Sequence, residues 1–310
     1  MRKEPDIAIL MATYNGEKYL EEQLDSLVHQ SYNNFVCYIH DDGSSDGTKE
    51  IINKYVKLYP DMFSYVDGKQ TGGAKNNFMF LLGSVEADYY MFCDQDDIWH
   101  KEKIEETYEY YMQVSKNEPT CVYSDLSVVD KNRNIINDSF YAFSNLDPHL
   151  NSYKQILMSN ICVGCTMFFD RQIRDIALSI QTDNIIMHDW LIALVAALMG
   201  KLYFLDEQLI EYRQHDNNVE GATREFGLLR KMFRAIDYHE YKKRKEYFIC
   251  RPRLMAGDLL CIQELDVDSK EFLHAFSTIG MQKKMIRIKF YHANRLYRQR
   301  IMKIWQLLHV

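Results

Sequence analysis

Short apolar runs alternate with amphipathic segments from Ile7 to Tyr212. A short apolar run between polar residues predicts a buried strand, and apolar residues that recur every three or four positions predict a helix. This alternation favours an α/β fold with a mainly parallel central sheet. The predicted strands are Ile7–Met11, Phe35–His40, Phe63–Val66, Tyr89–Cys93, Cys121–Ser124, Thr166–Phe169 and Leu202–Leu205. The predicted helices are Glu17–Gln30, Thr48–Tyr59, Ala74–Val85, Lys101–Val114 and Trp190–Met199.

Polar segments directly follow three of the predicted strands. They are Thr13–Asn15, Asp41–Asp46 and Asp94–Asp97. In open α/β sheets, ligands bind at the carboxyl ends of the strands. We therefore expect these three segments to form one ligand-binding edge of the sheet.

The third segment carries a cluster of carboxylates, Asp94, Asp96 and Asp97. Like-charge repulsion makes such clustering unfavourable unless a cation or a proton compensates it. Ions such as Mg²⁺ prefer oxygen ligands and often join one or two carboxylates to substrate phosphates. The cluster therefore indicates a metal-bridged nucleotide diphosphate. The alternative is a solvated turn that caps a helix beginning near His100.

The composition is typical of a globular protein, with 47% apolar and 26% charged residues. We find no secretory signal pattern and no apolar stretch near the roughly 20 residues that span a bilayer. The 7 cysteines, an odd number, favour a reducing compartment over a disulfide framework, so we expect a cytoplasmic protein. Cys162 and Cys165 have CxxC spacing, but they lack a second ligand pair and are predicted to be small structural residues.

Charge is distributed unevenly along the chain. Residues 222–310 carry 19 Lys and Arg against 9 Asp and Glu, whereas the preceding 221 residues carry 18 against 35. This asymmetry predicts two domains, 1–221 and 222–310, with the basic domain facing an anionic partner. The second is predicted to be helical, with main segments Phe226–Phe248 and Lys270–Leu308.

Residues 283–310 mix apolar and aromatic residues with Lys and Arg, without any acidic residue. A basic amphipathic helix of this kind can lie on an anionic membrane surface. The alternatives are a helix docked on the first domain with a solvated basic face, or a contact within a homo-oligomer.

Three segments together, Met11–Glu17, His40–Thr48 and Cys93–Trp99, resemble the family 2 glycosyltransferases of the GT-A fold. Two later segments, Met187–Trp190 and Tyr212–Asn218, resemble the bacterial rhamnosyltransferases of the RgpB type, which build cell-wall and capsular polysaccharides. The motifs occur in the family's order and cover about residues 6–221. The resemblance implies a Rossmann-like domain for a nucleotide-diphospho-sugar.

The resemblance also implies roles for individual residues. Nucleotide-sugar contacts are expected from Thr13, Tyr14, Asn15, Glu17, Asp41, Asp42, Lys75, Asp94, Gln95, Asp96 and Arg213. Mg²⁺ or Mn²⁺ is expected to bind among Asp94, Asp96, Asp97 and His215. For Asp41 and Asp46, helix capping is an equal alternative. His215 could instead donate a hydrogen bond to the diphosphate.

Asp189 is the expected catalytic base, because it opens an apolar helix where a carboxylate has reason to carry a raised pKa. It would take a proton from the acceptor hydroxyl as that oxygen attacks the anomeric carbon, and one displacement inverts the configuration. An N-cap role is the alternative. His188 and Trp190 are expected to contact the sugar or the acceptor, whereas Trp99 is expected in the core.

These expectations predict inverting transfer of L-rhamnose from dTDP-L-rhamnose onto a hydroxyl of a growing, lipid-linked cell-surface polysaccharide. The enzyme would sit peripherally on the inner face of the cell membrane, without nucleic acid as a partner. A UDP-hexose donor is the alternative within the same class. A non-catalytic nucleotide-sugar-binding scaffold is the alternative from another class. A nucleotidyltransferase would need a phosphate-cradling glycine-rich loop, which Gly72-Gly73 matches only weakly.

Overall fold

A computed structural model of the protein describes residues 7–181, 183–215, 242 and 245–296. These residues form one nine-stranded sheet with helices on both faces. The strands are β1 (Ile7–Thr13), β2 (Phe35–Asp41), β3 (Phe63–Tyr65), β4 (Tyr89–Asp94), β5 (Ile98–Trp99), β6 (Thr120–Val129), β7 (Ile135–Asn137), β8 (Phe168–Asp170) and β9 (Lys201–Arg213).

The described helices alternate with these strands and then continue alone. They are α1 (Leu20–Val28), α2 (Thr48–Leu58), α3 (Ala74–Ser84), α4 (Lys103–Val114), α5 (Phe140–Ser144), α6 (Tyr153–Met158), α7 (Arg171–Leu178), α8 (His188–Met199), α9 (Arg251–Asp258), α10 (Val267–Thr278) and α11 (Lys284–Ala293). The α/β prediction is confirmed, and a short π-helical turn, Glu246–Cys250, precedes α9.

The strand order across the sheet is β3-β2-β1-β4-β8-β6-β9-β5, with β7 paired to β6. The first four strands in this order are parallel, and β6 and β9 are parallel to each other. In contrast, β8, β5 and β7 are antiparallel to their neighbours. The predicted parallel arrangement therefore describes the first half of the sheet. The second half is mixed, because apolar runs reveal strands but not their direction.

Strand β1 is buried on both faces of the sheet, as expected for a central parallel strand. Ala8 and Leu10 join the core beneath α3, α7 and α8, whereas Ile9 and Met11 join the core beneath α1 and α4. This period of two follows from the alternation of side chains along a strand. The two cores fix β1 in register with β2 on one side and β4 on the other.

The C-terminal helices pack on the first of these cores. Met255, Phe276 and Tyr291 are fully buried there, within the same apolar cluster as α8. The predicted helix Lys270–Leu308 is interrupted, because α10 ends at Thr278 and α11 begins at Lys284. Three of the predictions lie wholly or partly outside the described residues. They are the remainder of that helix, most of Phe226–Phe248 and the domain boundary at residue 221. Within the described part, every helix is too short or too polar to cross a membrane.

Candidate active site

The carboxyl ends of β1, β2 and β4 meet at one edge of the sheet, as predicted. Thr13 is in register with Asp41 of β2, and Ala12 is in register with Asp94 of β4. A cavity of about 660 Å³ opens at this edge and reaches the start of α8. The predicted site residues that line it are Thr13, Tyr14, Asp42, Asp94, Gln95, Asp96, His188 and Asp189.

The Asp42 carboxylate holds a glycine turn at one end of the cavity. It accepts hydrogen bonds from the backbone N–H groups of Thr71, Gly72 and Gly73, at 2.7 Å for Gly73. Burial alone would raise the pKa of Asp42, but these hydrogen bonds outweigh it and hold the pKa below its ordinary value. Gly72 and Gly73 have φ of +82° and +120°, which other residues adopt only with strain. Asp42 therefore fixes the turn that begins α3.

Asp41 lies behind the cavity wall and caps the loop after β2. Its carboxylate accepts a hydrogen bond from the Thr13 hydroxyl at 3.0 Å and another from the Ser44 N–H at 2.8 Å. Asn15 and Glu17 brace the same loop, because the Asn15 amide oxygen and the Glu17 carboxylate accept backbone N–H groups of that loop at 2.9 Å each. These three predicted nucleotide contacts thus shape the loops around the cavity without lining it.

Gln95 fastens the loop after β1 to the loop after β4. Its side chain accepts from the Tyr14 N–H at 2.9 Å and donates to the Tyr14 carbonyl at 3.0 Å. The Gln95 amide rests against Gly16, where an added Cβ would lie 2.3 Å from its oxygen. The Tyr14 ring remains 59% exposed, so it is available to stack on a flat ligand.

The carboxylates of Asp94 and Asp96 lie in the cavity wall, and the imidazole of His215 lies beside Asp96. The His215 Nε2 atom lies 2.7 Å from Asp96 Oδ2. Burial, reinforced by the nearby charge of Asp96, raises the pKa of Asp94 to about 7. Oxygen ligands and one imidazole are a donor set that suits Mg²⁺ or Mn²⁺, and a cation there would relieve the repulsion between the carboxylates.

Asp97 differs from its two neighbours because it is fully buried and lies outside the cavity wall. One carboxylate oxygen accepts the Arg213 N–H at 3.3 Å. Burial raises its pKa well above the ordinary value, and the charges of Asp96 and Asp94 add to the effect. Asp97 lies close enough to Asp94 and the Cys165 sulfur for the three to share an ion. A thiol is a poor ligand for Mg²⁺, so the cavity-facing carboxylates fit better.

Arg213 is also buried, and its guanidinium makes hydrogen bonds and an ion pair with neighbouring residues. It donates to the carbonyls of Asp96 at 3.0 Å and Lys131 at 3.2 Å, and it pairs with Glu22 at 2.9 Å. It also lies 4.5 Å from the centre of the Tyr19 ring. Arg213 is one of the predicted nucleotide-sugar contacts, and in the structure its guanidinium braces the carboxylate loop.

Two further predicted contacts lie away from the cavity. The Lys75 ammonium donates to the Ile185 carbonyl at 3.1 Å, and Lys75 does not line the cavity. Trp190 is 3% exposed, and its indole N–H donates to the Ile156 carbonyl at 2.6 Å. Trp190 therefore packs in the core instead of facing a sugar. Trp99 is buried, as predicted.

Helix α8 delivers Asp189 and His188 to the far end of the cavity. Asp189 accepts the backbone N–H of Trp190 at 2.6 Å, so it also helps to satisfy the first turn of the helix. Gly164 lies directly opposite, where an added Cβ would be 3.3 Å from the Asp189 Cβ. The cavity therefore connects the carboxylates at the end of β4 with a carboxylate on α8.

The sequence relationship of the chain agrees with this arrangement. Residues 8–176 match the sequence model of Glycosyl transferase family 2, which is more than half of the chain. The chain belongs to glycosyl transferase family 2. The predicted resemblance is thus confirmed, and this member of the family is a glycosyltransferase.

Two bacterial relatives share most of its length. The dTDP-rhamnosyl transferase RfbG of Shigella flexneri is 30% identical over 251 residues, which are 75% of this chain and 81% of the relative. The putative teichuronic acid biosynthesis glycosyltransferase TuaG of Bacillus subtilis is 27% identical over 225 residues, 70% of this chain and 82% of that protein.

Two solved structures share the fold of this family 2 member. TarS of S. aureus, in complex with UDP-GlcNAc, has a TM-score of 0.57 at 18% identity, over 93% of this chain and 79% of that one. The mannosyltransferase PcManGT of Pyrobaculum calidifontis, in complex with GDP-Man and Mn²⁺, has a TM-score of 0.54 at 17% identity, over 94% and 76%. The predicted GT-A fold is confirmed.

Several cavity residues of this glycosyltransferase were missed by sequence reasoning. They include Gln70, Gly72, Gly73, Phe140, Asn160, Ile161, Cys162, Val163, Gly164 and Met187. The glycine pair was the one available signal, since adjacent glycines mark turns with unusual backbone angles. Residues 160–164 carry no comparable signal, because their role arises only when the chain folds back beside α8. Cys162 and Cys165 are both buried free thiols.

Proposed function

We propose that the protein transfers L-rhamnose, with inversion, from dTDP-L-rhamnose to a hydroxyl of a growing, lipid-linked cell-surface polysaccharide. The observation that carries this proposal is the single cavity that joins Asp94 and Asp96 to Asp189. The choice of donor is supported by the similarity to a relative named dTDP-rhamnosyl transferase over 75% of the chain.

A divalent cation is central to the proposal for electrostatic reasons. Among the described residues that line the cavity, four are aspartates and none is Lys or Arg. A nucleotide diphosphate is itself an anion, so it would be repelled unless a cation bound with it. Asp94, Asp96 and His215 would hold Mg²⁺ or Mn²⁺. When bound, the ion supplies Lewis-acid stabilisation of the departing diphosphate.

The remaining chemistry falls to residues of the chain. The glycine turn that Asp42 fixes and the exposed Tyr14 ring would enclose the nucleotide. Asp189 would accept the proton of the acceptor hydroxyl as that oxygen forms its bond to the anomeric carbon. The bond to the diphosphate breaks on the opposite face, so one displacement inverts the configuration, and no protein nucleophile is required.

A donor panel tests the proposal. The protein is incubated with dTDP-L-rhamnose, UDP-glucose, UDP-galactose and UDP-N-acetylglucosamine, each with Mn²⁺ or Mg²⁺, and the released nucleotide is measured by mass spectrometry. We expect turnover of dTDP-L-rhamnose that stops when the metal is chelated. Turnover of a UDP-hexose without turnover of dTDP-L-rhamnose would replace the rhamnosyl assignment. Metal-dependent binding without any turnover, even when acceptor glycans are supplied, would instead indicate a non-catalytic scaffold.

We also propose that the enzyme works peripherally on the inner face of the cell membrane, where its lipid-linked acceptor would be assembled. The C-terminal segment supports this. Met281, Met285 and Ile286 are 87%, 65% and 47% exposed, and Lys283 and Lys284 are exposed between them. Apolar side chains that alternate with lysines suit the boundary of an anionic bilayer.

A further inference from the structure

His188 is a buried polar side chain whose ring nitrogens have no hydrogen-bond partner among the described residues. It is 4% exposed, and within that part of the chain neither Nδ1 nor Nε2 makes a hydrogen bond. Its ring stacks on Phe78 at 4.0 Å between centroids and meets the edge of Phe92 at 4.6 Å. Buried polar groups are nearly always hydrogen-bonded. An unpartnered imidazole in a cavity wall therefore indicates that a ligand supplies the partner.

The space beside His188 is kept open by Gly164. A Cβ added at Gly164 would lie 3.2 Å from His188 Nε2 and 3.7 Å from Asp189 Oδ2. Any larger residue would therefore crowd both the imidazole and the proposed base. The imidazole and the base thus border the same part of the cavity, where the reacting sugar would lie.

The ring is also uncharged under physiological conditions. Burial among apolar groups lowers the pKa of His188 to about 3, so the imidazole offers one N–H donor and one nitrogen acceptor. The described cavity wall also carries apolar side chains, namely Phe78, Phe140, Ile161, Val163 and Met187. None of the described lining residues is a Lys or Arg that could neutralise a sugar carboxylate.

We propose that His188 hydrogen-bonds a hydroxyl group of the transferred sugar and that this subsite accepts only uncharged sugars. The inference rests on the proposed function and deepens it, because it assigns the sugar subsite to His188. A hydroxyl can both donate to and accept from a neutral imidazole, which satisfies the buried ring. A uronic acid would place its carboxylate next to Asp189, against a wall whose described residues include no Lys or Arg, which is unfavourable.

Binding measurements test the inference without depending on transfer. His188→Phe keeps a ring of similar size on Phe78 but removes both nitrogens. With Mn²⁺ present, we expect it to weaken dTDP-L-rhamnose binding about tenfold and to leave dTDP binding unchanged. His188→Gln, which retains a donor and an acceptor, should recover part of the loss. Gly164→Ala should also weaken the sugar nucleotide selectively, and thermal unfolding checks that each variant is folded.

A series of donors that each lack one hydroxyl identifies the group that His188 contacts. If a donor lacks the hydroxyl that His188 contacts, the hydrogen bond is already absent. That deoxy donor should therefore bind wild-type protein and His188→Phe with equal affinity. UDP-glucuronate should bind no tighter than UDP. Equal weakening of dTDP and dTDP-L-rhamnose by His188→Phe, or no weakening of either, would overturn the inference. Tight binding of UDP-glucuronate would overturn the restriction to uncharged sugars. Each of these results leaves the proposed transfer to be judged by the donor panel.

Discussion

The imidazole of His215 and the carboxylate of Asp96 meet at 2.7 Å, which joins the chain just beyond β9 to the chain just beyond β4. The His215 ring also stacks on Tyr19, 4.9 Å between centroids. The two residues are 119 positions apart in the sequence, yet their potential metal-ligating atoms lie side by side. We expect the metal affinity of the protein to depend on both segments.

His215→Ala should weaken Mn²⁺-dependent nucleotide binding about tenfold, because it removes one of the proposed ligands and leaves the carboxylates in place. The measurement is a Mn²⁺ titration at fixed nucleotide concentration. His274→Ala on α10, an exposed histidine, is the matched control and should have no effect. Unchanged Mn²⁺ affinity in His215→Ala would remove His215 from the metal site.

Metal affinity should fall as the pH falls below about 7. Burial and the neighbouring Asp96 raise the pKa of Asp94 to about 7, so below that pH a proton occupies the carboxylate. A cation must then displace the proton, and its affinity should drop by up to about tenfold per pH unit between pH 7 and pH 5. Mn²⁺ titrations across this range check the slope, and Asp94→Asn should flatten it. If the Mn²⁺ affinity of the wild-type protein did not change between pH 7 and pH 5, Asp94 would not be the titrating metal ligand.

Asp189→Asn should reduce transfer by about 100-fold or more, since an amide cannot take up the proton of the acceptor. The change is nearly isosteric, so nucleotide binding and the melting temperature should be retained. Initial rates with saturating donor provide the measurement. Asp268→Asn on α10 is an exposed control of the same chemical type. Transfer at the wild-type rate in Asp189→Asn would show that another group acts as base.

Arg213→Met should lower the free energy of unfolding by about 2–3 kcal/mol, because buried hydrogen bonds to charged groups contribute about that much. The guanidinium is 2% exposed, and its carbonyl and carboxylate partners would lose their donors. Chemical denaturation provides the measurement. Arg133→Met removes an exposed pair with Glu211 and should cost less than about 1 kcal/mol. Similar losses in the two variants would contradict the bracing role.

Membrane binding should depend on the exposed residues at the start of α11. The double substitution Lys283→Gln/Lys284→Gln should weaken binding to anionic liposomes about 30-fold at low salt, because each of the two lysines near the surface contributes about 1 kcal/mol. Substitution is preferable to truncation, since Tyr291 and Leu296 are buried in the core.

The matched control for this experiment is Lys57→Gln/Lys116→Gln, which makes the same charge change on exposed lysines elsewhere. Equal binding by both double variants would point to a docking or oligomer contact. Loss of binding only in Lys283→Gln/Lys284→Gln, and only on anionic lipid, would support the membrane contact.

The sequence predicted the ends of β1, β2 and β4 to within about two residues, because a polar segment directly follows each of these apolar runs. Thr13, Asp42 and Asp94 therefore lie where expected. It could not separate Asp97 from Asp96, because side-chain direction in a turn depends on the packing beneath it. The burial of Arg213 could not be predicted for a related reason. It is the last residue of β9, a strand of 13 residues, and the predicted strand ended at Leu205.

Strand β1 is hydrogen-bonded to β2 on one side and to β4 on the other, in one continuous register. The pairing of β1 with both neighbours therefore fixes the relative positions of the loops after β1, β2 and β4, which would enclose the nucleotide and the metal. Gln95 adds a second link through Tyr14. Grafting only one of these loops from a relative, in order to change the donor preference, would therefore disturb its contacts with the other two. Exchanging the loops after β1, β2 and β4 as one set should preserve the relative positions of the residues that would bind the nucleotide base, the diphosphate and the metal.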